Sequence, residues 1–158
     1  MILIQRVSRD GTAPDVTRPD PAKVISGDPV HSTWNLEDRD GLYAGLWQSS
    51  PGKWRVNYAE WEYFRILSGY SLLTGTDGSV TQLHPGDSMI IRPGFEGTWE
   101  VVQTTLKDYV IRLTVTVSAT APPSPSRFRT SSFLMSRRPT CPSPTWMSRW
   151  TGPTSASE

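Results

Sequence analysis

From Gly41 onward the sequence is divided into short runs of β-branched and aromatic residues, separated by turn-forming residues. Runs of this length and texture are typical of an antiparallel sandwich or barrel. No run shows the periodicity of an amphipathic helix, so the pattern predicts an all-β fold. The runs are LYAGLWQ (42–48), KWRVNY (53–58), WEYFRILSG (61–69), YSLLT (70–74), SVTQL (79–83), SMII (88–91), TWEVV (98–102) and KDYVIRLTV (107–115).

Turn signals between these runs predict how the strands are connected. Gly75-Thr76-Asp77-Gly78 contains an Asp-Gly pair and predicts a hairpin between 70–74 and 79–83. Gly86-Asp87 is explained structurally, with Gly at positive φ and Asp accepting hydrogen bonds from nearby amides. A third turn follows at 92–97. Because they are consecutive, the runs at 42–48, 53–58 and 61–69 are expected to be neighbouring strands.

The two ends of the chain differ from this central region. Residues 1–32 have little periodicity after Ile2-Leu3-Ile4, which predicts one strand and then an extended arm. Residues 33–113 form the predicted barrel. Residues 114–158 contain 10 Ser, 8 Thr and 7 Pro, a composition that predicts a disordered low-complexity tail. The abrupt change also suggests that the tail is an out-of-frame translation.

Charge and cysteine usage exclude several classes of protein. The net charge is +1, with 11 Lys and Arg against 14 Asp and Glu in 1–113, and 5 Arg against one Glu in 114–158. The tail arginines are scattered rather than clustered, so we expect no nucleic-acid partner. No window is apolar enough to span a membrane. The start MILIQRVSRD reaches charges too soon for a signal peptide, and the single Cys141 cannot form an intramolecular disulfide, so a cytoplasmic location is expected.

Two segments carry a resemblance to a known family. GLWQSSPGKWRVNYAEWEYFRILSG (45–69) and GDSMIIRPGFEGTWEVV (86–102) resemble the cupin family whose best-known member is ureidoglycine aminohydrolase. The resemblance covers about residues 33 to 112 and implies a cupin jelly-roll barrel. In metal-binding cupins the first motif holds two His and a Glu seven residues before a closing Gly, a spacing kept by Glu62 and Gly69. The second motif opens with Gly-Asp, as at Gly86-Asp87.

The metal ligands that the resemblance implies are mostly missing. Positions corresponding to the two His of the first motif read Val56 and Tyr58, and the third His position falls at Gly97 or Thr98. In ureidoglycine aminohydrolase itself Glu, two His and Gln hold the metal, and here only Glu62 of these four remains. Transition metals need several convergent donors. We therefore expect no metal and no other cofactor.

Strand alternation predicts which side chains share the barrel interior. Val56 and Tyr58 are two residues apart and point to the same face of their strand. Glu62, Phe64 and Ile66 likewise share one face of the next strand. A carboxylate on an apolar inner face has a raised pKa unless a cation or hydrogen-bond donor approaches it. Glu62 is thus the candidate catalytic or binding residue, with a purely structural ion pair to Arg55, Arg65 or Lys107 as the alternative. The predicted ligand-binding residues are Val56, Tyr58, Phe64, Thr98 and Trp99, with core packing as the second role for Trp99.

No functional role is expected for the other polar and aromatic residues. Glu60 is expected to be solvated. His31 is placed in the arm and His84 in a turn facing solvent. Trp54 is expected on the outer sheet face or in a dimer interface.

Three functional hypotheses follow. The first is a single-domain cupin that binds a small polar metabolite without the usual metal. The second is a metal-assisted hydrolase or isomerase of a ureido-type nitrogen compound. The third is a non-catalytic dimerising module, since cupins commonly pair through their sheets. The expected partners are a small-molecule ligand and a second copy in a homodimer.

Overall fold

The computed structural model describes residues 3–114 of the 158-residue chain. This part is all-β, as predicted: nine strands pair antiparallel in one curled sheet, and there is no helix among these residues. The predicted tail, apart from residue 114, and Cys141 lie outside the described residues. The strands are β1 (Asp15–Thr17), β2 (Val24–Gly27), β3 (His31–Arg39), β4 (Leu42–Ser49), β5 (Gly52–Asn57), β6 (Trp61–Gly75), β7 (Val80–Leu83), β8 (Ser88–Ile91) and β9 (Glu96–Arg112).

Strand β9 is the centre of the sheet. Its first half pairs with β5 and its second half with β4, while β6 lies along its other side. The run at 98–102 and residues 107–112 of the next run therefore belong to one strand. The expectation that 42–48, 53–58 and 61–69 are mutual neighbours is wrong, because β9 takes the position between them. Sequence order predicts that these consecutive strands pair with one another. In the structure each of them pairs instead with β9, which is distant in sequence.

Strand β6 joins the predicted runs 61–69 and 70–74 into one bent strand. The register against β9 shifts around Gly69, whose φ is +90°. A Cβ at this position would collide with the carbonyl of Thr104 on β9. The bulge that bends the sheet therefore requires glycine. This explains why the first cupin motif ends at Gly69.

The predicted turns are confirmed. Residues between β6 and β7 form the hairpin, with the Gly78 N–H donating to the Gly75 carbonyl at 3.0 Å and φ of +82° at Gly78. Gly86 has φ of +97°, and the Asp87 carboxylate accepts the His84 N–H at 2.8 Å. The His84 side chain is exposed, as expected of a turn residue.

The N-terminal region differs from its prediction. Leu3 and Ile4 are not in a strand and are 81% and 92% exposed. Two short strands, β1 and β2, lie instead inside the predicted arm, paired with β3 and β5. β3 begins at His31, two residues before the start assigned to the barrel. Sheet pairing, rather than local propensity, gives these short segments their structure.

The core fills the concave side of the curled sheet. It is formed by alternate residues of the long strands: Tyr43, Trp47, Trp54, Phe64, Ile66, Leu73, Leu83, Ile91, Trp99, Val101, Tyr109 and Ile111. Residues 3–114 contain no helix of the length and apolar character that crossing a membrane requires.

Candidate functional site

A pocket of about 710 Å³, including the solvent at its mouth, opens on the concave side of the sheet. Its walls are mainly aromatic and come from β4, β5, β9 and the residue after β5: Trp47, Trp54, Tyr58, Trp99 and Tyr109. Ligand pockets in proteins commonly combine apolar walls with a few polar groups. The lining of this pocket therefore has the composition of a small-molecule site.

A buried ion pair forms the floor of the pocket. Lys107 Nζ donates to Glu62 Oε1 at 2.7 Å, and the two side chains are 6% and 3% exposed. The ammonium also lies over three aromatic rings, 4.4 Å from the centroid of Trp99, 4.5 Å from that of Phe64 and 5.0 Å from that of Trp47. Of the alternatives for a structural partner of Glu62, Lys107 is the one that contacts it, while Arg65 pairs with Asp108.

Tyr58 completes a polar row with this pair. Burial and the nearby charges of Glu62 and Glu60 raise the pKa of the Tyr58 hydroxyl well above 10, and a hydrogen bond to Glu62 acts in the same direction. The backbone holds the residue in place: its N–H donates to Phe95 O at 2.9 Å and its carbonyl accepts Gly94 N–H at 2.7 Å. The third predicted turn thus positions a pocket residue.

Glu60 is a second buried carboxylate in the lining, and the expectation that it is solvated is wrong. It is 3% exposed and accepts the Ala59 N–H at 3.0 Å. Glu60 precedes β6 and shares its parity with Glu62, so the alternation that placed Glu62 inside also applied to Glu60. The pocket lining consequently contains two buried carboxylates, Glu60 and Glu62, and one buried ammonium, Lys107.

Tyr109 bounds the pocket on the β9 side. Its hydroxyl donates to Asn35 Oδ1 at 3.0 Å. Burial raises the pKa of the Tyr109 hydroxyl, and the charges of Glu62 and Asp38 raise it further, so the residue stays a neutral hydrogen-bonding group.

His31 is not in a loose arm but begins β3, fully buried behind the pocket wall. Its ring lies 4.7 Å from that of Trp54, edge to face, and 5.1 Å from that of Trp47. Burial, together with the positive charge of Lys107, lowers the pKa of His31 from 6.5 to about 2. The imidazole is therefore neutral at physiological pH.

The structure gathers most, but not all, of the predicted site residues. Val56, Tyr58, Glu62 and Trp99 line the pocket, whereas Phe64 is buried beneath Lys107. Thr98 is not among the lining residues and neighbours the inward-facing Trp99 on β9, so alternation turns it to the opposite face.

The sequence interpretation missed Lys107, Tyr109, Trp47 and Trp54 as pocket residues. Lys107 and Tyr109 share the parity of Trp99 along β9, which is the signal that could have found them. Trp54 is 2% exposed on the inner face, so its expected place on the outer face is wrong. Four of the five domain indoles are buried, namely Trp34, Trp47, Trp54 and Trp99, and they give no support to an aromatic dimer surface.

The mouth of the pocket is formed by the segment between β1 and β2. Asp20 Oδ1 accepts the Ala22 N–H at 2.9 Å, and Asp20 O accepts the Lys23 N–H at 2.8 Å, so the segment makes a tight turn. The turn is fixed to β5 because Lys23 O accepts the Arg55 N–H at 2.9 Å. Asp20, Lys23 and Arg55 are among the residues that line the pocket.

Comparison with known proteins identifies the fold of the domain. Residues 36–109 match the family of EutQ-like cupin domains. These residues have a cupin fold. The matched residues run from β3 to β9 and include the floor of the pocket, and the family match agrees with the curled antiparallel sheet. No curated protein matches the sequence.

Solved structures show the same fold. A DUF861-family protein of unknown function from Pseudomonas syringae pv. tomato matches with a TM-score of 0.60 and 24% identity, covering 66% of this chain and 46% of that protein. The Clostridium difficile EutQ protein matches with a TM-score of 0.50 and 15% identity, over 60% of this chain and 79% of EutQ. The chain thus spans less than half of the Pseudomonas protein, and at these identities the likeness concerns the fold.

The donors present do not fit the metal that many cupin domains hold. Within residues 3–114 no three His, Cys, Asp or Glu side chains converge on a common point suited to a metal ion. Glu62 is the remaining carboxylate at a ligand position, and the Lys107 ammonium, 2.7 Å away, already supplies the positive charge beside it. A metal ion there would be repelled by the ammonium and would lack imidazole donors.

Proposed function

We propose that this cupin domain binds a small polar metabolite, with an amide-like or ureido head group on the Glu62–Lys107 floor. The proposal rests on the hydrogen-bond donors of the Lys107 ammonium group. A protonated lysine has three N–H donors. Within the described residues the one hydrogen bond of Lys107 Nζ is to Glu62, so two donors remain at the bottom of an aromatic pocket.

The remaining donors favour a ligand with an acceptor oxygen. The indole N–H of Trp99, another lining residue, likewise has no hydrogen-bond partner between residues 3 and 114. The adjacent carboxylates Glu60 and Glu62 are acceptors and favour N–H groups on the same ligand. A carbonyl carrying an NH₂ group offers both, and its planar shape suits the surrounding aromatic faces. Ureido compounds have this chemistry, which agrees with the resemblance to ureidoglycine aminohydrolase.

A binding titration tests the proposal directly. Trp47, Trp54 and Trp99 line the pocket, so their fluorescence reports occupancy by butyramide or ethylurea. Glu62→Gln should weaken binding by about tenfold or more, because a charge-assisted hydrogen bond is lost from a desolvated site. Glu37→Gln, at a surface ion pair with Arg39, is the matched control and should leave the affinity unchanged.

A second candidate function is hydrolysis of such a compound. The row Tyr58–Glu62–Lys107 gives Glu62 a hydrogen-bonded neighbour on each side, an arrangement that can hold or transfer a proton. The Glu62→Gln variant separates the candidates. Loss of ammonia release from ethylurea with retained affinity indicates chemistry, and loss of affinity without any turnover in the wild type indicates binding. An unfolded variant, or unchanged affinity and no turnover, would contradict a functional role for Glu62.

A further inference from the structure

The Glu62–Lys107 pair joins two residues that are not direct neighbours across the sheet. On the β6–β9 ladder Glu62 lies opposite Ile111, whereas Lys107 lies opposite Ile66. The backbones of the two paired residues are therefore about 13 Å apart along the strand direction. The lysine stem must extend along the inner face of the sheet to bring its ammonium to 2.7 Å from Glu62 Oε1. A long, unbranched cationic side chain meets this requirement.

The surroundings of the ammonium suit an organic cation. Its nitrogen lies 4.4 to 5.0 Å from the ring centroids of Trp47, Phe64 and Trp99, within the distance of about 6 Å at which ring faces attract a cation. Zinc and manganese instead require imidazole, thiolate or oxygen donors, and an indole N–H cannot donate a lone pair to a metal. The rings around the charge therefore favour an alkylammonium over a divalent metal ion.

The ammonium is also fixed permanently in the sheet. Lys107 lies in the central strand β9, where it is opposite Trp47 on β4 and Ile66 on β6. A bound metal ion exchanges with the solution and is lost to chelators, whereas a side chain on a central strand does neither. The Glu62 carboxylate thus has a positive partner that does not depend on metal supply.

We infer that Lys107 is the resident cation of this domain, supplying beside Glu62 the positive charge that a metal ion supplies in metal-binding cupins. The inference goes beyond the proposed function, because it concerns the protein without any ligand in its pocket. The ammonium differs from a metal ion in offering N–H donors rather than open coordination positions. Once the lysine side chain is removed, the site should accept a small alkylammonium ion and should not accept a divalent metal ion.

Chemical rescue of Lys107→Ala tests this preference. The substitution removes three methylene groups and the ammonium, which together match propylammonium in size and charge. Thermal unfolding of the 158-residue variant is followed at constant ionic strength with propylammonium chloride, 1-propanol, manganese chloride or zinc chloride. Propylammonium should raise the midpoint by about 5 °C at roughly ten times its dissociation constant. Neither propanol, which has the same length without the charge, nor the two metals should give a saturable rise.

Two controls assign the rescue to the site beside Glu62. The wild type should not respond to propylammonium, because its own lysine fills the site. The double variant Glu62→Gln/Lys107→Ala should also fail to respond, because the carboxylate that attracts the cation is gone. A response of equal size in either control would overturn the inference, as would propanol acting as well as propylammonium.

Metal binding provides the opposite outcome. Stabilisation of Lys107→Ala by manganese or zinc would show that the site prefers a metal ion. An equimolar amount of metal retained by the wild type after gel filtration, measured by plasma mass spectrometry, would also overturn the inference. If Lys107→Ala does not fold alone, it is refolded from urea with propylammonium or with propanol. Recovery of the fold with propylammonium alone supports a resident cation, and failure with both contradicts it.

Discussion

The inner and outer faces of the β6–β9 ladder carry two ion pairs of nearly equal length in opposite surroundings. Lys107–Glu62 spans 2.7 Å with side chains 6% and 3% exposed, whereas Arg65–Asp108 spans 2.9 Å with side chains 52% and 23% exposed. Lys107 and Asp108 are consecutive residues, so strand alternation alone separates the two environments. The contact distance is therefore a poor guide to energy, and desolvation decides what each pair does.

The largest effect is expected from breaking the inner pair. Lys107→Met leaves Glu62 buried without its cation, which should lower the free energy of unfolding by about 3 to 5 kcal/mol. Urea denaturation at neutral pH measures this loss without changing ionic strength. A loss below about 1 kcal/mol would mean that water already reaches the floor and that the inner pair behaves like a surface pair.

The double variant Glu62→Gln/Lys107→Met separates lost attraction from stranded charge. If the cost of Lys107→Met comes from the carboxylate left unpaired, neutralising Glu62 as well should restore much of the stability. A double variant as unstable as Lys107→Met would instead assign the loss to packing of the lysine stem against Trp47, Phe64 and Trp99.

Tyrosine hydroxyls extend the comparison of the two faces. Tyr58→Phe removes a hydrogen bond to the buried carboxylate of Glu62 and should cost about 1.5 to 2 kcal/mol. Tyr63→Phe is the control on the exposed side, where the hydroxyl donates to Ser88 Oγ at 3.3 Å, and it should change stability by less than about 0.5 kcal/mol. Equal losses in thermal and urea unfolding would contradict the difference between the faces.

His31 gives the inner face a pH dependence between neutral and mildly acidic pH. Its pKa is about 2 in the folded protein against 6.5 in the unfolded chain, so below pH 6.5 the unfolded state binds the proton preferentially. Stability should therefore fall by about 1.4 kcal/mol between about pH 7.5 and about pH 5.5. In His31→Gln this part of the loss should vanish. If the free energy of unfolding fell equally with pH in the wild type and in His31→Gln, the lowered pKa of His31 would be contradicted.

The sequence predicted most of what local rules determine. Alternation and turn chemistry placed the hairpin at 75–78 and the strands from 42 to 112, and the motif spacing pointed to Glu62 and Tyr58 as pocket residues. The pairing order was not predictable in the same way, because β9 is distant in sequence from both strands that it separates. Pairing between strands so far apart in the chain depends on the whole sheet, and no short stretch of sequence determines it.

The errors at the site have the same origin. The sequence suggests Lys107 as a structural partner of Glu62, but its place on the pocket floor requires knowing that β9 lies between β4 and β6. The pairing of β3 with β4, which removes His31 from an arm, cannot be read from 31–39 alone. Glu60 differs, because its charge favours solvent while strand alternation places it inside with Glu62. Buried polar residues are thus the ones that sequence rules predict least well.

The smallest effect is expected on the outer face, where Arg65→Met is the counterpart of Lys107→Met on the same two strands. Arg65 and Asp108 are solvated, and the backbone N–H of Arg65 donates to Asp108 Oδ1 at 3.1 Å, a bond that does not depend on the side chain of residue 65. The loss should be about 0.2 to 1 kcal/mol and should decrease further in high salt. Ligand affinity should not change, because neither residue lines the pocket. A loss comparable to that of Lys107→Met would show that the ladder itself, rather than desolvation on its inner face, sets the energy of both pairs.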